Sequence, residues 1–155
     1  MAHTIEGGLI QPSITYSKYK AFTITAHIAR VLIGLIFLVF GLNGFLHFIP
    51  MPAQTGAAAD FSMGLFKGQY FFPLMALTQV ISGVLLLSGT LVPLALLLLS
   101  PIVVNIFFFH LALAPSGLGM AIFIVAAVIL LTVYYWPVYK PIFSTNNAWK
   151  SNRLK

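Results

Sequence analysis

The chain contains no cysteine and only two acidic residues, Glu6 and Asp60, among 155 residues. Without thiols there can be no disulfide staple, thiolate metal site or CxxC redox relay. Charged residues make up 6% of the sequence, and none of Asp, Glu, Lys or Arg occurs between Gly68 and Tyr139. A water-soluble domain must present charge to solvent on each helix, so so long an uncharged stretch excludes an ordinary soluble fold. No nucleophile–base–orienter set and no glycine-rich phosphate loop is present, which leaves hydrolase and nucleotide chemistry without support. Internal repeats and low-complexity segments are absent too. No short apolar core with a small-residue cleavage site precedes the first hydrophobic run, so that run is expected to be retained as the insertion signal.

What remains is apolar chain. Hydrophobic residues make up 60% of the sequence, which predicts an all-α membrane protein with residues 1–155 as a single membrane domain. A bilayer-spanning helix needs about 20 apolar residues. Small-residue breaks at Ser88-Gly89-Thr90 and Ala114-Pro115-Ser116-Gly117 divide the long run into three spans, and Val31 to Ala59 supplies another. The spans are expected over about 23–49, 71–88, 92–113 and 118–136, with polar tails at 1–20 and 141–155. Together they form a four-transmembrane-helix bundle.

The net charge of +6 is scattered around the spans and forms no basic face for nucleic acid. Lys18, Lys20 and Arg30 flank the first span, Lys140, Lys150, Arg153 and Lys155 follow the last, and the opposite loops hold only Lys67. By the positive-inside rule, both termini of this multi-pass protein are expected in the cytoplasm. Tyr134, Tyr135 and Trp136 form an aromatic belt before Lys140. Arg30 lies one to two turns inside the cytoplasmic end of the first span and can snorkel outward. With Gly34 and Gly41 it forms a seam on which a neighbouring helix can pack closely. Ala76, Gln79 and Gly83 form a small and polar stripe expected to face the bundle. Pro101 deprives the Leu97 carbonyl of its helical donor, so a kink is expected there.

The loop from Pro52 to Gln69 contains an interfacial segment in the first outer loop. Asp60 is expected to cap a short helix running to about Lys67, with Phe61, Leu65 and Phe66 turned toward the membrane. It reads either as a plain interfacial element or as a lid, with Asp60 and Phe61 over a site.

Five polar side chains fall in the outer half of the bilayer once the helix directions are fixed: Asn43, His47, Gln79, Asn105 and His110. Polar groups in hydrocarbon must be paired or must line a cavity. Two readings follow, structural glue between helices or a ligand pocket. Asn105 and His110 stand about 140° apart around a helix, so an unbent third span cannot aim both at one ligand. Two histidines lack a third strong ligand other than Asp60, so no metal or haem site is expected. A neutral cavity roofed by Phe107, Phe108 and Phe109 suits a quinone or a lipid, and an imidazole is suited to proton transfer with a bound quinol.

The segments Ala29 to Gly44 (ARVLIGLIFLVFGLNG), Val80 to Gly89 (VISGVLLLSG) and Pro101 to His110 (PIVVNIFFFH) resemble the DoxX family of small four-span bacterial membrane proteins. The likeness runs over about 26–143, and Arg30, Asn43, Asn105 and His110 match its pattern of positions. It implies a four-helix bundle in the bacterial inner membrane. It also implies an association with quinol oxidation and thiosulfate:quinone oxidoreduction. Related proteins that handle dithiols do so with cysteines, so that chemistry does not carry over to this chain.

The leading functional expectation is a non-catalytic or accessory subunit linked to respiratory or redox membrane chemistry, with no catalytic residues of its own. Its expected partners are membrane lipid and either a larger membrane complex or a second copy, with the glycine seam of the first span as the contact. The alternatives are a stand-alone quinone-dependent oxidoreductase component and a small-molecule transporter. The transporter is the weaker, because one four-helix bundle encloses little volume and holds no intramembrane acid.

Overall fold

In the computed structural model, residues 13–50 and 53–143 are described. Six α-helices follow one another: α1 (Ser13–Leu46), α2 (Gly56–Lys67), α3 (Phe71–Ser88), α4 (Val92–Ala112), α5 (Leu118–Tyr134) and α6 (Trp136–Phe143). A 3-10 turn, Pro115–Gly117, leads into α5. No strand occurs among the described residues. The sequence tails 1–12 and 144–155, including Lys150, Arg153 and Lys155, lie outside them.

Four helices are long and apolar enough to cross a membrane: Tyr19–Leu46, Phe71–Ser88, Val92–Ala112 and Pro115–Tyr134. In the most apolar stretch of each, only 28% of the residues are buried inside the molecule. The remaining outward surface is apolar as well (Ile28, Leu35, Leu74, Leu97, Ile129 and Val133 are all exposed), as a lipid-facing surface requires.

Helix α1 begins about ten residues earlier than the sequence suggests, because nothing between Ser13 and Thr23 is a glycine or proline that would stop it. At about 1.5 Å per residue it is about 50 Å long, more than the hydrocarbon thickness. It also ends earlier than expected, at Leu46 rather than Ile49. His47 takes the left-handed conformation there (φ 52°), and its N–H still reaches the Asn43 carbonyl at 2.9 Å.

The spans form a ring in which α1 packs on α3 and α5, and α4 packs on the same two helices. Ile33, Phe37, Leu86, Leu99 and Leu131 fill the interior and are almost wholly buried. Along the α1–α3 contact the two backbones nearly touch. A Cβ added to Gly83 would lie 2.7 Å from the Leu38 nitrogen, and one on Gly41 would lie 2.8 Å from the Val80 nitrogen. Membrane helices gain little by burying apolar surface from apolar lipid, so this close approach supplies the dispersion contact that holds the pair together. The glycine seam of α1 is therefore occupied by α3 of the same chain, with the predicted Ala76–Gln79–Gly83 stripe as its counterpart. It is not free to serve as a contact between copies.

Arg30 is tied to a neighbouring helix. Its Nη1 donates to the Leu86 carbonyl at 2.6 Å, across to the C-terminus of α3, where Gly89 adopts φ 74°. A helix C-terminus presents unpaired carbonyls and partial negative charge, so a cation fits it well. A Cβ on Gly89 would fall 2.6 Å from that same Nη1. Helix α4 runs unbroken through Pro101. The Leu97 carbonyl, which loses its helical donor to the proline ring, accepts a hydrogen bond from Ser100 Oγ at 2.8 Å instead. Tyr139 on α6 is buried and donates to the Pro93 carbonyl at 2.7 Å, which ties α6 to the start of α4. Phe22 and His27 of α1 pack on Tyr134 at ring distances of 5.6 and 6.1 Å, so α1 begins and α5 ends at one end of the bundle.

Candidate functional site

The polar residues singled out by sequence divide into three groups. Asn43 is 5% exposed and serves the chain just beyond its own helix. Its Oδ1 accepts from the Ile49 N–H at 2.6 Å and its Nδ2 donates to the Ile49 carbonyl at 3.2 Å. Both halves of the carboxamide thus hold the backbone of one residue, through the two peptide groups on either side of the Ile49 Cα, which fixes how the chain leaves α1. His47 is exposed, and its Nδ1 donates to the Phe45 carbonyl at 3.1 Å.

His110 serves the α4–α5 connection in the same way. Its Nδ1 donates to the Ala114 carbonyl at 2.9 Å, and its ring lies edge-on to Phe109, with centroids 5.3 Å apart. Gly117 sits against the imidazole so closely that a Cβ there would collide with it. The turn Ala114-Pro115-Ser116-Gly117 is therefore built around this ring. A carbonyl can only accept, so Nδ1 carries the proton in the neutral ring.

Asn105 stands apart. It is exposed on α4, turned away from the bundle, and its carboxamide has no hydrogen bond to any described residue. The structure thus does not aim Asn105 and His110 at one point, in agreement with their angular separation.

Gln79 does face inward, at 6% exposure on α3. The Gly41–Gly44 part of α1 lies against Ala76 to Val80, which puts Gln79 and Asn43 at a similar level of the bundle. One turn along, Ser82 shares the inward face of α3 and is fully buried, and its Oγ has no partner. Sequence reading passed over Ser82, although its i+3 spacing from Gln79 was visible. A serine within a helix ordinarily turns its hydroxyl to the carbonyl a turn back, as Thr78 and Thr132 do here at 2.8 Å. Ser82 does not. The Ser82 hydroxyl is thus buried without a partner, one turn from the Gln79 side chain on the same face.

Helix α2 covers the far end of the bundle. It starts at Gly56 with Thr55 as the preceding residue, so the expected cap at Asp60 is corrected: Asp60 lies inside the helix and is exposed. Thr55 is extended there (φ −130°, ψ 159°), the conformation a helix start requires, which leaves Asp60 a full turn too late to act. Phe61 packs against Phe109 of α4 with ring centroids 5.8 Å apart, so α2 rests on the spans through an aromatic contact. Between α2 and α3 lies an open groove of about 340 Å³ lined by Gln54, Ala59, Ser62, Met63, Phe66 and Phe72. Ser62 Oγ donates to Gln54 Oε1 at its edge. Among the described residues no three His, Asp or Glu side chains cluster as metal ligands.

The DoxX family profile matches residues 25–112, which takes in α1 from near its membrane-spanning start through α4. The helices α5 and α6 lie beyond the match, although the sequence likeness noted above runs on to about residue 143. No curated protein and no solved structure matches the chain. The matched region covers more than half of the sequence and contains Arg30, Asn43, Gln79, Asn105 and His110 in their spans, so this chain is a membrane protein of the DoxX family.

Proposed function

We infer that the protein is a non-catalytic subunit of membrane redox machinery in the bacterial inner membrane, and that it receives a neutral, partly apolar molecule, a quinone or a lipid, on the inward face of α3. The observation that carries this reading is the Ser82 hydroxyl, fully buried and without a partner, with the Gln79 side chain one turn away on the same helix face. Buried polar groups at membrane depth call for a polar occupant. A quinone carbonyl or lipid ester supplies acceptors without charge, which suits an amide N–H and a hydroxyl. The non-catalytic part rests on how the imidazoles are used. His47 and His110 both spend Nδ1 on backbone carbonyls that shape turns. The cytoplasmic placement of both termini rests on Lys18, Lys20, Arg30 and Lys140 lying at the end where α1 begins.

The test is ligand content. Protein extracted in mild detergent is expected to carry a neutral quinone or lipid visible by native mass spectrometry. Replacing both residues (Gln79→Leu with Ser82→Ala) is expected to remove it, whereas His47→Ala retains it. Ligand-free native protein, or full retention by the double variant, overturns the reading.

A further inference from the structure

The outward face of α4 carries a seam that the bundle leaves uncovered. Leu94, Leu98, Pro101, Asn105, Phe108 and Ala112 follow one another at spacings of four and three residues. All six are exposed, with Leu94 at 45%, Leu98 at 38% and Phe108 at 58%. At 100° per residue they fall within about 80° of one another, a single stripe along the helix. That alternation is the a/d pattern by which two helices pack side by side.

Asn105 makes this stripe different from the other lipid-facing surfaces. It lies seven residues, about 10 Å, from the C-terminal end of α4, well within the hydrocarbon. Lipid tails offer no hydrogen bond, and an unsatisfied amide at that depth is strongly disfavoured. The exposed hydroxyls of the spans avoid this by bonding to their own backbone, as Ser100 does to Leu97 and Thr78 to Leu74. Asn105 has no such partner among the described residues.

We propose that α4 pairs with α4 of a second copy of this chain along the Leu94–Ala112 seam, with the two Asn105 carboxamides hydrogen-bonded to each other at its centre. A second copy is the fitting occupant for two reasons. A carboxamide carries one acceptor and one donor group, so across a two-fold axis each Asn105 satisfies the other. In a membrane that axis runs along the bilayer normal, which makes the two α4 helices parallel. Parallel pairing is the arrangement in which a lone asparagine in an a/d seam fixes register. The α1 seam cannot do this, since α3 already fills it.

The absence of cysteine gives a clean background for the test. Leu98→Cys and Phe108→Cys, each placed singly in the full chain and oxidised in native membranes, are expected to give disulfide-linked dimers. Ile129→Cys, exposed on α5, is the control expected to stay monomeric. Adding Asn105→Leu to Leu98→Cys is expected to weaken dimerisation about tenfold, and Asn105→Gln, which keeps both hydrogen-bonding groups, to restore much of it. If Leu98→Cys and Phe108→Cys cross-link no more than Ile129→Cys, the pairing is wrong, whatever the Asn105 variants do. Cross-linking that Asn105→Leu leaves unchanged overturns the role of the amide, and capture of a different protein overturns the second copy. None of these outcomes depends on whether a ligand occupies Gln79 and Ser82.

Discussion

At the end of the bundle where α1 begins, polar side chains reach far across the sequence, Arg30 to Leu86 and Tyr139 to Pro93. At the opposite end Asn43, His47 and His110 reach no further than six residues, and each binds the backbone of its own turn. The first kind of contact joins one helix to another and so belongs to the bundle as a whole. The second kind shapes a loop and can open while the helices stay packed. Each of these polar side chains has a backbone partner within the membrane domain. What differs between the ends is whether that partner also holds the fold together.

Arg30→Ala should break this contrast most severely. It removes a charged hydrogen bond from the α3 C-terminus, and a loss of about 2–3 kcal/mol is expected in detergent unfolding. Arg30→Lys should recover part of that loss, since a lysine keeps the charge but reaches the carbonyls with a single ammonium.

Tyr139→Phe should cost about 1 kcal/mol, also globally. The same tyrosine adds a pH signature. Burial pushes its phenol above the ordinary value of 10.0, so the folded state holds that proton more tightly than the unfolded chain. Its contribution is fully present below about pH 10 and is lost as pH rises through the raised pKa. Unfolding followed from pH 8 to 11 should therefore show a decline that Tyr139→Phe lessens.

At the other end, Asn43→Ala is expected to cost about 1 kcal/mol or less in global unfolding. Its main effect should be local, as faster hydrogen exchange at the Ile49 amide while α3 and α4 amides stay protected. A global loss equal to that of Arg30→Ala would erase the distinction between the two ends.

The smallest effect is a coupling. Gly117→Ala should destabilise the native protein, because the added Cβ meets the His110 ring, yet be nearly neutral in a His110→Ala background. A non-additivity of about 0.5 kcal/mol in a double-mutant cycle is the expected reading.

The legibility of the sequence follows the same division. The spans could be read because they depend on runs of apolar residues, and α4 and α5 begin just after the breaks at Ser88-Gly89-Thr90 and Ala114-Pro115-Ser116-Gly117. The inward stripe Ala76–Gln79–Gly83 could be read because spacing alone sets a helix face. Ser100 could have been assigned as well, since it directly precedes Pro101 and lies within reach of the carbonyl that the proline orphans.

The partners of Arg30 and Tyr139 could not be read, because they lie 56 and 46 residues away and depend on how the ring of helices closes. For Arg30, water and a helix C-terminus both attract a cation, and only the packing selects the α3 carbonyl. The fate of His110 was open too, since its use depends on the loop folding back over it.

Four helices cross the bilayer, with the start of α1 and the end of α5 at one end of the bundle and α2 at the other. Single cysteines at Tyr19, Phe66 and Ile142, all highly exposed, test this arrangement directly in the cysteine-free chain. With a membrane-impermeant maleimide, Tyr19→Cys and Ile142→Cys are predicted to label only in inside-out vesicles and Phe66→Cys only in right-side-out ones. Labelling of Tyr19→Cys and Ile142→Cys from opposite sides would contradict the bundle described here.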